Sequence, residues 1–423
     1  MSPVRPTVRV VGRSLEPEHH RLRDFLTRTA QPYEFLELGS AEAAALLADH
    51  GLTERDLPLV VDGSDVYPNA SLSLLADAWN LSTPPSRKHY DLAIVGAGPA
   101  GLAAAVYAAS DGLSTIVIEA DVPGGQASHT SLIENFFGFP DGIGGAELAR
   151  LAGRQAERFG AELILLRGVV GSSARAAGPP LLLIDGGYEV TADALIAANG
   201  MEWRRLDVEG VPDLLDRGVY YGAGRSEAAR CGGQHVVVVG AGNSAGQAVL
   251  DLSRADARVT MVVRGDELGS KMSSYLVERI ERDPLIDVRL HATVTAAHPD
   301  GDRLGAVTIT DEAGKGEQLR AGSLFLCLGG TPRTAWAAGA GVRVNSAGFV
   351  VTGSGLLEAG RRPEGWPIDR DPLVLETTIP GLFAAGDLRS GSTKRVAAAV
   401  GEGAMAAALV HRRLEELVAA AAS

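Results

Sequence analysis

Short apolar runs bounded by turn residues alternate with longer amphipathic or alanine-rich stretches along most of the chain. Leu92–Val95, His235–Val239 and Leu324–Leu328 are runs of the first kind, as expected of strands buried on both faces of a parallel sheet. The residues after Gly101, Gly246–Ser253 and Gly403–Val418 have the length and spacing of helices. Residues 1–83 repeat the alternation on a smaller scale. There Val8–Val11, Tyr33–Leu38 and Leu57–Val61 read as strands, and Glu16–Ala30, Ala41–Ala48 and Ser71–Trp79 as helices. Ser82–Lys88 (STPPSRK) has the composition of a linker. The pattern predicts an α/β protein with a small N-terminal unit ahead of a larger assembly.

Two strand–helix junctions carry glycines at a chemically informative spacing. In Asp91–Glu119 the first run enters Gly96-Ala97-Gly98-Pro99-Ala100-Gly101, a helix follows, and a second run ends in Glu119, 23 residues after Gly96. Gly96 permits the tight turn, Gly98 lets the backbone approach a pyrophosphate, and Gly101 lets the helix pack on the strand. The helix N-terminus offers N–H groups to the phosphates, and Glu119 can accept from the hydroxyls of an adenosine ribose. This is a Rossmann-type dinucleotide unit. A second unit runs from His235 through Gly240-Ala241-Gly242-Asn243-Ser244-Ala245, a helix and the strand Arg258–Val263 to Arg264, 24 residues after Gly240. A carboxylate at the strand end suits a free 2′-hydroxyl, whereas a guanidinium suits a 2′-phosphate. FAD lacks a 2′-phosphate on its adenosine and NADPH has one, so the first unit is expected to hold FAD and the second NADPH, with Lys271 as a helper. Arg264 as a solvated surface charge is the competing reading.

Composition narrows the function classes. The chain has 423 residues, 46% hydrophobic, with 52 glycines and 5% aromatics, which suits two or three glycine-turn-rich α/β domains. A net charge of −13 argues against nucleic acid or acidic lipid as a partner. The absence of an apolar run of about 18 residues or an apolar leader points to a cytoplasmic protein that does not span a membrane. The two cysteines, Cys231 and Cys327, form no CxxC and no metal-ligand spacing, so no metal site is expected.

Further segments carry a family resemblance. GAGPAGLAAAVYAA, GGQ (Gly124–Gln126), IENFFGFP (Ile133–Pro140) and GxxGxEL together resemble the FAD domain of the low-molecular-weight thioredoxin reductases. The resemblance implies that Gly125, Gln126 and Asn135 line the isoalloxazine ring. ALIAANG (Ala194–Gly200) resembles the close of that domain's first segment, with Asn199 where the family usually has Thr. IPGLFAAGD (Ile379–Asp387) resembles the second FAD motif, which implies that Gly386 and Asp387 meet the ribityl chain. Lys394, Arg395 and Val396 are then expected near the flavin pyrimidine edge. The implied organisation is an FAD domain in two segments, 89–205 and 328–423, with an NADPH domain at 206–327 inserted between them, in a homodimer. Residues 1–83, joined by the 84–88 linker, resemble glutaredoxin and thioredoxin domains in element order and in Pro58, but no cysteine follows their first strand. This unit is expected to pack on, or be tethered to, the FAD domain.

The chain departs from the family at Val219–Ser226 (VYYGAGRS), where thioredoxin reductases place a CxxC and an acid. Gly222 and Arg225 occupy the cysteine positions and Ser226 the acidic one. A disulfide relay needs two bridgeable thiols, one of them able to attack as thiolate. Three readings follow. Reduced flavin passes electrons directly to a bound but unnamed acceptor, with Tyr220, Tyr221 or Arg225 as candidate pocket walls. Alternatively, a partner or small molecule supplies the disulfide, or the protein is a non-catalytic flavin-binding sensor or scaffold.

Overall fold

The computed structural model describes residues 8–13, 16–81, 83–173, 180–222, 230–270 and 272–421. They form two compact units, one of Met1–Leu75, His129–Leu132 and Trp203–Gly329, the other of Ala76–Ser128, Ile133–Glu202 and Gly330–Ser423.

The second unit is built on a sheet ordered Glu162–Ile164, Thr115–Ile118, His89–Val95, Tyr188–Ala197, Leu181–Ile184, Val169–Ser173. The first four strands are parallel, and their runs are apolar because both faces are covered. Leu382–Ala384 pairs in parallel with Leu195–Ala197, so the C-terminal stretch of the chain completes a sheet begun at His89. Leu92, Ile94, Val117, Ile196 and Phe383 form the buried core on one side. The helices Pro99–Ser110 and Val396–Ala421 pack there at very short range. A Cβ at Gly403 would lie 2.0 Å from the Ala100 carbonyl oxygen, so only glycine allows that approach.

In the first unit five parallel strands run in the order Val219–Tyr221, Ser323–Leu326, His235–Val239, Arg258–Val262, Ile286–Arg289. An antiparallel sheet of Ala292–Asp300, Arg303–Asp311 and Gly316–Arg320 adjoins them. Residues 8–67 form a separate four-stranded sheet, ordered Tyr33–Glu37, Val8–Gly12, Leu59–Asp62, Asp65–Tyr67, with the Leu57–Pro58 peptide bond cis. The strand Asp65–Tyr67 is additional to the sequence reading, and the first helix, Pro17–Arg28, starts at the proline within the expected Glu16–Ala30 stretch and ends two residues before its end. The N-terminal sheet and its first helix cluster with Trp203–Gly329; there the His20 ring lies tilted against Tyr220 at 4.9 Å, and His20 and Arg21 reach Asp216 at 3.7 and 3.5 Å.

Candidate functional site

At the first glycine turn, Gly96 adopts φ +106°, and a Cβ there would lie 2.6 Å from the Ala198 carbonyl oxygen and the Asn199 Cα. Only glycine fits both constraints. Gly101 packs as its motif predicts, with an added Cβ only 1.9 Å from the Gly96 carbonyl oxygen. Gly98 is the N-cap of the Pro99–Ser110 helix and supplies no side-chain cap. The first-turn N–H groups are therefore left for an anion, with Pro99 at a position that needs no donor. Glu119 is buried, and its carboxylate accepts from Ala97 N–H at 2.7 Å and Asp121 N–H at 2.9 Å. Burial pushes its pKa up, against the pull of those two donors.

The loop after the second strand returns to this turn. Gly124 N–H donates to the Ala97 carbonyl at 2.7 Å, and a Cβ at Gly125 would lie 3.5 Å from Gly98 Cα. Gln126 Nε2 donates to the Met201 carbonyl at 3.1 Å. Asn135 is exposed, on the loop that Ile133 and Ile143 close as an antiparallel bridge. The Gly386-Asp387 turn comes in from the far end of the sequence: a Cβ at Gly386 would lie 3.0 Å from Ala100 Cβ. Asp387 is half-buried, with its pKa raised by burial. Lys394 Nζ donates to the Asp387 backbone carbonyl, and Arg395 is exposed just before Val396 opens the last helix. Asn199 donates its amide to the Arg333 carbonyl, while its buried Oδ1 has no hydrogen-bond partner. An uncapped helix start, a buried carboxylate and an orphaned buried acceptor around one glycine turn fit a dinucleotide with hydroxyl donors. Gly96, Gly98, Pro99, Ala100, Gly101, Glu119, Gly125, Gly386 and Asp387 thus come together; sequence reasoning passed over the acceptor of Asn199, noted only as a departure from Thr.

The second glycine turn repeats the geometry. Gly240 has φ +147°, and a Cβ would lie 2.5 Å from the Cys327 carbonyl oxygen. Gly242 caps the helix Asn243–Arg254 without a side chain, leaving its first-turn N–H groups for phosphate. Ala245 is buried, Ser244 is exposed, and Arg264 is exposed beyond the strand Arg258–Val262. Asn243 is committed elsewhere: its Oδ1 accepts from Ser273 N–H at 2.8 Å and its Nδ2 meets Ser273 Oγ at 3.1 Å. Its side chain therefore tethers the following loop. Lys271 lies outside the described residues.

The segment Val219–Ser226 is described as far as Gly222, and Arg225 lies outside the described residues. Tyr220 is buried between the His20 and Phe325 rings, at 4.9 and 5.6 Å, and so belongs mainly to the core. Tyr221 accepts from Leu206 N–H at 2.9 Å. At Gly222, with φ +77°, a Cβ would lie 3.6 Å from Trp203 and 3.8 Å from His129, two neighbours that no motif marked. Cys231 and Cys327 are both buried and form no disulfide, and burial pushes the Cys327 thiol up to about 12. At neutral pH Cys327 is a thiol and no nucleophile. Among the described residues no group of three or more His, Cys, Asp or Glu could hold a metal, and no helix is long and apolar enough to cross a membrane.

Residues 90–403 match the family model described as pyridine nucleotide-disulphide oxidoreductase. Thioredoxin reductase of Bacillus subtilis (strain 168) is 34% identical over 334 residues, covering 78% of this chain and 96% of that protein. Thioredoxin reductase 1, mitochondrial, of Arabidopsis thaliana is 31% identical over 341 residues, covering 77% and 84%. The crystal structure of T. acidophilum thioredoxin reductase superposes with a TM-score of 0.68 at 26% identity, covering 78% of this chain and all of that one. A bacillithiol disulfide reductase from Staphylococcus aureus, 19% identical with a TM-score of 0.60 over 76% of this chain and 98% of that one, shares the fold. With two glycine turns of dinucleotide type and a family match across most of its length, the chain belongs to the pyridine nucleotide-disulphide oxidoreductases, as a thioredoxin reductase-like enzyme that uses FAD and NADPH.

Proposed function

We propose that this enzyme takes electrons from NADPH through FAD directly to an acceptor, with no internal dithiol between flavin and acceptor. The observation that carries the reading is the pair of residues Gly222 and Arg225 at the positions of the family's redox cysteines, in a chain whose two thiols are buried and form no disulfide. Cys231 and Cys327 also stand 96 positions apart, without the CxxC spacing of a relay.

In this reading FAD is held by the Gly96 turn, with its ribose on Glu119, its ribityl chain on Asp387 and its ring towards Gly125, Gln126 and Asn135. NADPH is held by the Gly240 turn, with Arg264 on the 2′-phosphate. Residues 89–205 and 328–423 then form the FAD domain, 206–327 the NADPH domain, and two chains the dimer. Bound FAD supplies two-electron acceptance from NADPH and delivery to the acceptor. The protein's own contribution is positioning. Uncapped helix N-termini neutralise the phosphates, buried carboxylates orient the hydroxyls, and no side chain acts as a nucleophile. The N-terminal sheet, with its strand order and no cysteine, supports reading residues 1–83 as a thioredoxin-like module without redox chemistry of its own.

A second reading draws on the relatives' names: the acceptor is a disulfide on a partner protein or a small molecule. Anaerobic mixing with NADPH should bleach the oxidised-flavin absorbance. Reoxidation by quinone or ferricyanide but not by disulfides supports direct transfer, and reoxidation by disulfides alone supports the second reading. A flavin that NADPH does not bleach would overturn both.

A further inference from the structure

The Gly386-Asp387 turn is clamped from two sides. Gly386 N–H donates to Glu402 Oε2 at 2.7 Å, and Arg389 forks onto the same carboxylate, Nη2 to Oε1 at 2.6 Å and Nε to Oε2 at 3.1 Å. On the other side, Lys394 Nζ donates to the Asp387 carbonyl and stands 4.5 Å over the Phe349 ring. The backbone on both sides of Asp387 is thus fixed, while its carboxylate accepts no hydrogen bond from any described residue. Glu402 lies next to Gly403, whose contact with Ala100 seats the last helix on the first turn of the Pro99 helix. One helix therefore ties the Gly386 turn to the Gly96 turn. The charge states are consistent with this division. Burial pushes Glu402 up, but Arg389 and the Gly386 N–H outweigh it and hold the carboxyl below its usual range. Asp387 lacks such donors, and burial raises it.

We infer that Glu402 is a positioning residue: it fixes the Gly386-Asp387 turn so that the Asp387 carboxylate is presented, unpaired, to a hydroxyl of the bound flavin dinucleotide. The inference rests on the reading that FAD lies across the Gly96 turn. Glu402 itself touches no cofactor atom in this scheme, and its effect is transmitted through the turn. An unpaired, half-buried carboxylate is costly in the empty protein and becomes an acceptor once a donor arrives, which is how a fixed acceptor favours binding.

The test is a double-mutant cycle on FAD affinity, read from quenching of flavin fluorescence when FAD is added back to the full-length protein stripped of flavin. Glu402→Ala and Asp387→Ala should each weaken FAD by about tenfold or more, the loss of one well-placed hydrogen bond to a charged group. Because Glu402 acts through Asp387, adding Glu402→Ala to Asp387→Ala should cost less than about threefold further. Independent, multiplying losses would make Glu402 a general structural residue and overturn the inference. If Glu402→Ala yields no folded protein, Glu402→Gln serves in the same cycle: it keeps one acceptor and the side-chain shape but loses the charge facing Arg389. A severalfold loss masked by Asp387→Ala supports the inference, and an unchanged or additive effect overturns it. Unchanged FAD affinity in Asp387→Ala alone would overturn the placement of FAD against Asp387 and the inference with it.

Discussion

Glu119 and Arg264 end two units of the same pattern with opposite charge, and two measurements address that contrast. Losing a charge-assisted contact to a 2′-phosphate costs about 1.5–3 kcal/mol, roughly a tenfold to hundredfold loss. Arg264→Ala should therefore raise the KM for NADPH by that factor and leave NADH nearly unchanged in steady-state assays; equal losses with both nucleotides would make Arg264 structural. Glu119 gives a pH dependence. Burial raises its pKa in the flavin-free protein, and a ribose hydroxyl donates to the ionised form, so FAD binding and protonation compete. FAD affinity should be constant at high pH and fall as pH drops through that raised pKa, starting above the ordinary glutamate value of 4.5. Glu119→Gln should be weak throughout and lose that component of the pH profile; a profile unchanged in the variant would assign the effect to another group. By itself the raised pKa works the other way on the empty protein, whose Glu119 contribution to stability is greatest at low pH and is lost as pH rises through it.

At the scale of elements, local signals carried furthest. Gly96, Gly101 and Pro99 were legible because a turn, a close helix approach and an N1 proline each demand a residue type within a few positions. The strand Asp65–Tyr67 was not, since three residues beginning with Asp offer no alternation to read. Glu402 escaped notice because its partners, Gly386 and Arg389, lie more than ten residues away and are joined to it only by the tertiary fold. Asn243 shows the reverse case: it stands in the motif, yet its side chain serves Ser273. The last helix offers a paired test of tertiary contact against propensity. A Cβ at Gly403 would meet Ala100 oxygen at 2.0 Å, whereas at Gly401 it meets nothing within 4 Å. Gly403→Ala should destabilise the protein by about 1–3 kcal/mol in urea titration and lower its FAD content, because the two helices must separate. Gly401→Ala should be neutral or stabilise by up to about 1 kcal/mol. Similar midpoints for the two variants would mean that the close approach contributes no stability.

For the whole molecule, the central proposal is that no thiol pair stands between flavin and acceptor, and what the sequence makes legible is that its two cysteines, Cys231 and Cys327, lie 96 positions apart. The burial of Cys327 follows from its place in the apolar run Leu324–Leu328, whereas the packing of the N-terminal sheet with Trp203–Gly329 and the burial of Cys231 were legible only in the fold. Replacing Cys231 and Cys327 together with Ser should leave NADPH-dependent reduction of ferricyanide or quinones largely intact, and the protein should not reduce thioredoxin at a comparable rate. Loss of turnover in Cys231→Ser alone, with FAD content unchanged, would bring a protein thiol back into the mechanism. Electron capacity tests the same claim without any choice of acceptor. In an anaerobic dithionite titration of the purified holoenzyme, a flavin with no redox-active protein disulfide takes up about one two-electron equivalent per FAD before it is fully bleached. Full bleaching at about one equivalent is the result predicted; uptake of about two would reveal a second redox couple within the protein and contradict direct transfer from the flavin.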